Sequence, residues 1–375
     1  MSYLLNAPDI SSLEKKYVSD VLKNKWLSSN GLHTKKFEKK ICEYLNLKYS
    51  LAVQSGTAAL HVALKSLGCK PGDNIILPNY SCVSNLSAVT QCGANPIIVE
   101  IEKDTLGLDI DDLKKAINLY KPKVVQLVHV YGYPAKYTNE IKDLCKKRGI
   151  YLLEDFSEAL GAEINNKKVG TFGDIAVFSI RSEKMIGVGE GGVVVSNNKK
   201  IFNKVKTLAS RNSPYRGKKD PYWKKYYCAG EGYNYMLPHL LGAVARAQIE
   251  RFKDELLPRK IRVGKIYKSI FNGINLKMTQ KNILGHKAVY WLNSIYFENT
   301  SKAKVKKVAS MLEKNNIEIR SGFWPLNDLK GFKSKYVGTK KITKEIFDKT
   351  LVLPSNIYLK EKDIIKFKNL IIKNI

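Results

Sequence analysis

Lysine is the dominant basic residue of this 375-residue chain, yet Lys184 stands alone, with no other lysine between Lys168 and Lys199. It sits in Ser179-Ile180-Arg181-Ser182-Glu183-Lys184-Met185-Ile186-Gly187, ahead of Gly189-Glu190-Gly191-Gly192. An amine among apolar residues and glycines can lose part of its water, take a lowered pKa and act as a Schiff-base nucleophile. A loop lysine that lays its stem on apolar surface gives the same local pattern. A second group is Ile150-Tyr151-Leu152-Leu153-Glu154-Asp155, an apolar run ending in two acids. Ligands of open α/β sheets bind beyond the carboxyl ends of the strands. A carboxylate there can pair with a protonated ring nitrogen; a plain loop acid or helix cap would look alike. The third group is Ser55-Gly56-Thr57-Ala58-Ala59-Leu60. Free amides and the dipole at a helix N-terminus attract phosphate, and glycine permits close approach. An ordinary strand-to-helix turn capped by Ser55 or Thr57 is the competing explanation.

Each group alone is ambiguous. Together they are the parts needed to hold pyridoxal phosphate: a phosphate cup, an acid to tune the ring and a lysine to bind the aldehyde. The same lysine, once displaced by an amino donor, can shuttle a proton.

These groups must be carried by particular elements. Apolar runs at Ser50–Val53, Asn74–Leu77, Pro96–Glu100, Lys123–Val128, Ile150–Glu154, Ile175–Ser179 and Gly192–Ser196 read as strands. Helical patterns such as Ala58–Leu67 and Tyr137–Lys147 lie between the earlier ones. Alternation of this kind predicts an α/β domain with a mainly parallel, seven-stranded sheet sandwiched by helices. Amphipathic stretches at Leu13–Leu22 and Lys35–Leu45 precede it, and a helix near Lys199–Ala209 follows. Arg211–Tyr227 is basic, aromatic and rich in turn formers, and reads as a long surface loop. A helical region over Leu237–Phe271, a β pattern near Val289–Phe297 and helices near Lys302–Asn315 and Glu361–Ile372 complete the chain. The expected division is a large domain over 1–244 and a smaller α+β domain over 245–375.

The formal net charge of +30 raises the question of nucleic acid. Only nine of the 64 basic residues are arginine, and the lysines are spread along the chain. Base reading and bidentate phosphate clamps favour arginine, so nucleic acid is not the expected partner. A diffuse positive field still attracts anionic small molecules. The six cysteines form no CxxC pair, which argues against a zinc ribbon or disulfide framework, and no metal is expected. No apolar run approaches the roughly 20 residues of a membrane span. The start lacks a secretory pattern, so a cytoplasmic protein without membrane insertion is expected.

Over nearly its whole length the chain resembles the DegT-type sugar aminotransferases, a branch of the fold-type I, aspartate aminotransferase-like pyridoxal-phosphate enzymes. The resemblance rests on Trp26-Leu27-Ser28-Ser29-Asn30-Gly31, the Ser55–Leu60 segment, Pro71-Gly72-Asp73 and His129–Pro134. It rests above all on Glu154-Asp155-Phe156-Ser157-Glu158-Ala159-Leu160-Gly161. Val169–Asp174, Lys184 with its glycines, Gly232-Tyr233-Asn234-Tyr235 and Arg320–Leu326 also fit. The resemblance implies that Lys184 forms the Schiff base and Asp155 pairs with the ring nitrogen. Gly56, Thr57 and Ser179, beside Ser55, would hold the phosphate. Glu158 stands where many relatives have glutamine near the phenolic oxygen. Asn234 would reach the cofactor of a neighbouring subunit, which implies a homodimer with shared sites. Trp26, Ser29, Tyr80, Arg181, Glu183 and Arg320 fall on the substrate side.

The reaction so implied moves an amino group from L-glutamate to a nucleotide-linked 4-keto, or sometimes 3-keto, sugar. The branch that makes GDP-perosamine shows similar segments, which implies GDP-4-keto-6-deoxymannose as acceptor and a product destined for surface polysaccharide. UDP- and dTDP-linked sugars are the alternatives. A sugar 3-dehydratase is a further one, but known members of that branch carry histidine in place of the lysine. The chain also departs from the pattern. Met236 replaces a frequent arginine, Ile180–Glu183 replaces the usual run before the lysine, and Cys82 stands where relatives often stack an aromatic on the ring. Tyr80 is the expected substitute if the turn differs. In the long loop, Arg211, Arg216, Lys218, Lys219 and Tyr222 are candidates to clamp a diphosphate or stack on a base.

Overall fold

The computed structural model describes residues 2–215, 222–272 and 276–375. Helix α1 (Ser12–Lys23) starts at a capping box in which Ser11 and Glu14 satisfy each other's amides. Helix α2 (Leu32–Leu45) ends at Asn46, which takes the left-handed conformation. Then strands and helices alternate: β1 (Tyr49–Val53), α3 (Gly56–Ser66), β2 (Asn74–Pro78), α4 (Val83–Gln91), β3 (Asn95–Val99), α5 (Ile110–Tyr120), β4 (Val124–Val128), α6 (Thr138–Arg148) and β5 (Tyr151–Asp155). A small hairpin, β6 (Glu163–Ile164) and β7 (Lys167–Lys168), leads to β8 (Ile175–Ser179), β9 (Gly192–Ser196) and α7 (Lys199–Ala209).

The seven apolar runs all lie in one sheet, in the order β1-β9-β8-β5-β4-β2-β3, with β9 antiparallel to both its neighbours and the other pairs parallel. An eighth strand, β14 (Lys335–Val337), adds to the edge beside β3. It is three residues long and only Val337 is buried, so it carries no apolar run that would mark it as a strand. Helix α3 is sunk between this sheet and helices α4 and α7, and most of its residues are buried. That depth brings its N-terminus to the carboxyl ends of the strands.

Helix α8 (His239–Arg251) lies against α1 and α2, then passes through one π-helical turn, Phe252–Leu256, into α9 (Leu257–Ile270). Residue 245, where the second domain is expected to start, therefore falls inside a helix that packs on the large-sheet side. Beyond it come β10 (Leu276–Met278), β11 (His286–Lys287), β12 (Asn293–Phe297), α10 (Lys302–Lys314), β13 (Arg320–Ser321), α11 (Lys341–Lys349), β15 (Thr350–Leu353) and α12 (Glu361–Ile372). Strands β10-β12-β15-β13 form a second, antiparallel sheet, and its core joins Val263 and Tyr267 to Phe297, Val308 and Phe367. The N-terminal segment is stitched to this part: the Tyr3 amide donates to the Asn316 carbonyl (2.9 Å) and the Ser355 amide to the Leu5 carbonyl (2.6 Å). Among the described residues no helix is long and apolar enough to cross a membrane.

Candidate active site

A cavity of about 300 Å³ opens where α3, α4, β5, β8 and the loop after β8 meet. At one end is the first turn of α3. Ser55 is its N-cap, its Oγ accepting from the Ala58 amide (3.0 Å), so the Gly56 and Thr57 amides have no acceptor within the helix. A Cβ placed on Gly56 would come within 3.0 Å of the Ser179 Cβ, so a side chain there would crowd the cradle. Thr57 Oγ1 donates to Ser84 Oγ (3.0 Å), which ties α3 to α4.

At the other end, strand alternation separates the two acids of β5. Glu154 turns into the protein, where it accepts from the Gly170, Phe172 and Gly173 amides and from the His129 ring. The Ala135 amide donates to His129 Nδ1, so the His129 proton sits on Nε2 and points at Glu154. Asp155 turns to the cavity. One of its oxygens accepts from the Ser157 amide (3.0 Å) and the other from Asn85 Nδ2 (3.0 Å). The opposite end of that amide, Asn85 Oδ1, is buried and has no hydrogen-bond partner among the described residues.

Lys184 lies between these ends. Its Nζ is 3.3 Å from Glu158 Oε1 and 3.5 Å from the centre of the Trp291 ring. The other Glu158 oxygen accepts from the Tyr131 amide (2.9 Å). Burial pushes the Glu158 carboxyl above the usual carboxylate range, against the pull of the Lys184 ammonium.

The sequence profile of the DegT/DnrJ/EryC1/StrS aminotransferase family matches residues 8–370. The chain belongs to that family. A GDP-perosamine synthase of Vibrio cholerae is 37% identical over 322 residues, which cover 86% of this chain and 85% of the relative. Two solved structures share the fold. PseC of Helicobacter pylori, an aminotransferase of pseudoaminic acid biosynthesis, has a TM-score of 0.89 at 23% identity and covers 100% of this chain and 99% of its own. The E. coli GDP-4-keto-6-deoxy-D-mannose-3-dehydratase, with bound hydrated PLP, has a TM-score of 0.87 at 24% identity and covers 99% of each chain.

The cofactor of this DegT-family chain is pyridoxal phosphate, and the residues on the cavity wall suit it. The acceptor-free amides of α3 suit a phosphate, Asp155 suits a protonated ring nitrogen, and a lysine stands within the same space.

The structure brings Ser55, Gly56, Thr57, Cys82, Asp155, Glu158, Ser179, Arg181, Glu183 and Lys184 onto one cavity. It does not bring the other expected residues there. Asn234 is exposed. Trp26 is exposed and its Nε1 donates to the Ser29 carbonyl, while Ser29 itself is buried. Arg320 pairs with Glu318 on β13, and Arg211 is exposed at the end of α7. Arg216, Lys218 and Lys219 lie outside the described residues, as does the side chain of Tyr222. Tyr80 needs correction as a substrate or ring contact. It is fully buried, its hydroxyl meets Tyr131 (3.2 Å), and Phe323 packs against its ring. The aromatic faces of the cavity come from Trp291 and Phe323.

Sequence reasoning missed Asn85, Ser157, Trp291 and Phe323. Asn85 was within reach, being three residues after Cys82 and so on the same face of α4. Ser157, whose Oγ accepts from the Ser179 amide (3.0 Å), sits inside the acid motif itself. Phe323 lies within the Arg320–Leu326 segment and Trp291 within the β pattern at Val289–Phe297, but nothing local marks either as a cavity wall, since the C-terminal part delivers both from far along the chain.

Proposed function

We propose that this chain transfers the amino group of L-glutamate to the C4 ketone of a GDP-linked 6-deoxy sugar, GDP-4-keto-6-deoxymannose, giving GDP-perosamine. The carrying observation is the amine of Lys184, held 3.3 Å from Glu158 Oε1 in the same cavity as Asp155 and the α3 N-terminus. The similarity to the Vibrio cholerae enzyme supports the nucleotide and the sugar.

When bound, pyridoxal phosphate supplies an aldehyde for the donor amine and a ring that takes up the electron pair left when the α-proton departs. The chain's own residues do the rest. The Gly56 and Thr57 amides and Ser179 hold the phosphate. Asp155, fixed on both oxygens, keeps a proton on the ring nitrogen. Lys184 Nζ removes and returns the proton that moves during transfer. Glu158 holds that amine in place and would be the carboxyl nearest the phenolic oxygen of the bound group. Arg181 and Glu183, at the mouth, face the substrate.

The shared-site homodimer belongs to the same proposal. Asn234 is exposed on its own chain, as a residue serving a partner's cofactor must be. Leu22, Trp26, Leu27 and Leu32 form an exposed apolar group around the α1–α2 connection, which suits burial against a second copy. A cytoplasmic location and a surface-polysaccharide product complete the proposal, by analogy with relatives.

The test begins with the visible absorbance of the protein with pyridoxal phosphate, followed by L-glutamate without sugar. The yellow band should bleach and the pyridoxamine band rise, and both should be absent in Lys184→Ala. Addition of GDP-, UDP- and dTDP-linked 4-keto sugars should restore the yellow band fastest with GDP, with an amino sugar identified by mass spectrometry. Loss of water from the sugar without a stable amine would instead assign a dehydratase.

A further inference from the structure

The carbonyl of Glu183, directly before Lys184, accepts two side-chain hydrogen bonds. Trp291 Nε1 donates at 2.6 Å and Asn6 Nδ2 at 2.5 Å. A carbonyl oxygen has two lone pairs, so its capacity is filled. The Asn6 amide is held from its other end: Asn6 Oδ1 accepts from Lys260 Nζ at 3.1 Å. Lys260 also donates to the Ser355 carbonyl. A cleft of about 20 Å³, the size of a single water, lies between Asn6, Lys184, Met185 and Lys260.

Lys260 is an unusual residue for that place. It is 2% exposed, and no carboxylate among the described residues forms an ion pair with it. Burial pushes its ammonium down to about 7. An apolar side chain would fill the space without this desolvation cost. What it could not supply is an N–H. Charged or neutral, the amine has at least two N–H donors, and these meet the Asn6 oxygen and the Ser355 carbonyl, which leaves the Asn6 NH₂ facing the Glu183 carbonyl. The chain of contacts therefore runs from α9 and the segment after β15, through the N-terminal segment, to the peptide that carries Lys184.

We infer that Lys260, acting through Asn6, is a positioning residue for Lys184, fixing the Glu183 peptide so that the lysine amine keeps its place beside Glu158. This rests on Lys184 being the cofactor lysine.

The test compares Asn6→Ala, Asn6→Asp and Lys260→Met by thermal unfolding without added cofactor and by pH titration of the visible absorbance with pyridoxal phosphate bound. Asn6→Asp is the discriminating variant. It leaves Lys260 an oxygen, and a charged one, but removes the donor to Glu183. If the contact positions Lys184, both Asn6 variants move the titration midpoint by about half a pH unit or more while melting near the wild-type temperature. The Asn6→Ala/Lys260→Met double variant should then shift no further than the larger single. Wild-type midpoints in both Asn6 variants would overturn the inference. So would an Asn6→Asp variant that behaves as wild type while Asn6→Ala does not, since the contact would then serve only to satisfy Lys260. If Lys260→Met does not fold, the Asn6 pair decides alone. A wild-type protein with no visible band would mean that the Lys184 assignment itself has failed, a separate result.

Discussion

The cofactor end of the cavity and the sugar-facing edge are built in opposite ways. At the cofactor end, Asp155 and Glu158 are buried and each is hydrogen-bonded to a backbone amide, while the first turn of α3 is half-buried. At the edge, Arg181 is exposed with carboxylate neighbours Glu183 and Glu190. The first arrangement suits chemistry that tolerates little movement. The second leaves long side chains free to adapt to a substrate, or to be completed by a second copy. Substitutions should accordingly cost far more at the cofactor end.

The largest effect is expected for Lys184→Ala. Transfer should fall by about 10³-fold or more, since proton transfer and cofactor attachment are both lost, as single-turnover kinetics would measure. Asp155→Asn should weaken cofactor retention by roughly 10- to 100-fold, the worth of a charge-assisted hydrogen bond, measured by dialysis and absorbance. Gly56→Val should weaken it by about 10-fold by filling the space before Ser179, and should also lower the melting temperature because the new side chain crowds Ser179. Arg211→Ala with Tyr222→Ala should raise the sugar's KM several-fold and leave the glutamate half-reaction unchanged. Equal KM values would remove the loop from substrate binding.

Glu158→Gln is the exception at the cofactor end: it keeps the shape and an oxygen acceptor for the Tyr131 amide, and so gives the smallest effect, together with a pH signature. The buried Glu158 carboxyl titrates above the ordinary value of about 4.3. The folded protein thus holds a proton that the unfolded chain has released, and this contribution to stability fades as pH rises through the raised value. The variant should lack that fall in melting temperature as pH rises above the ordinary carboxylate value. A second comparison tests the subunit arrangement. If sites are shared, mixing Lys184→Ala and Asn234→Ala protomers should restore about one quarter of wild-type activity, because half the dimers regain one intact site.

The same contrast governs what the sequence made readable. Strands β1 to β5, β8 and β9 announce themselves because burial on both faces demands unbroken apolar runs. Lys184, Asp155 and the α3 turn are readable because their chemistry restricts residue type within a short segment. Strand β14 has no such run, and the Trp291 and Phe323 walls depend on how the C-terminal part docks, which no local pattern encodes. Tyr80 shows the reverse error. An aromatic near the right place in the chain reads as a ligand contact, but its ring is buried in the packing behind Phe323.

The pairing of β14 with β3 sets a clock on assembly. Strand β3 ends at Val99 and its neighbour begins only at Lys335, so the edge of the main sheet stays open until most of the polypeptide has left the ribosome. The Glu100 carboxylate then caps the start of α11 through the Ile342 and Thr343 amides, fastening late-made chain to early-made chain. A nascent protein halted before residue 335 presents an unpaired strand to its surroundings, with the aggregation hazard such an edge carries.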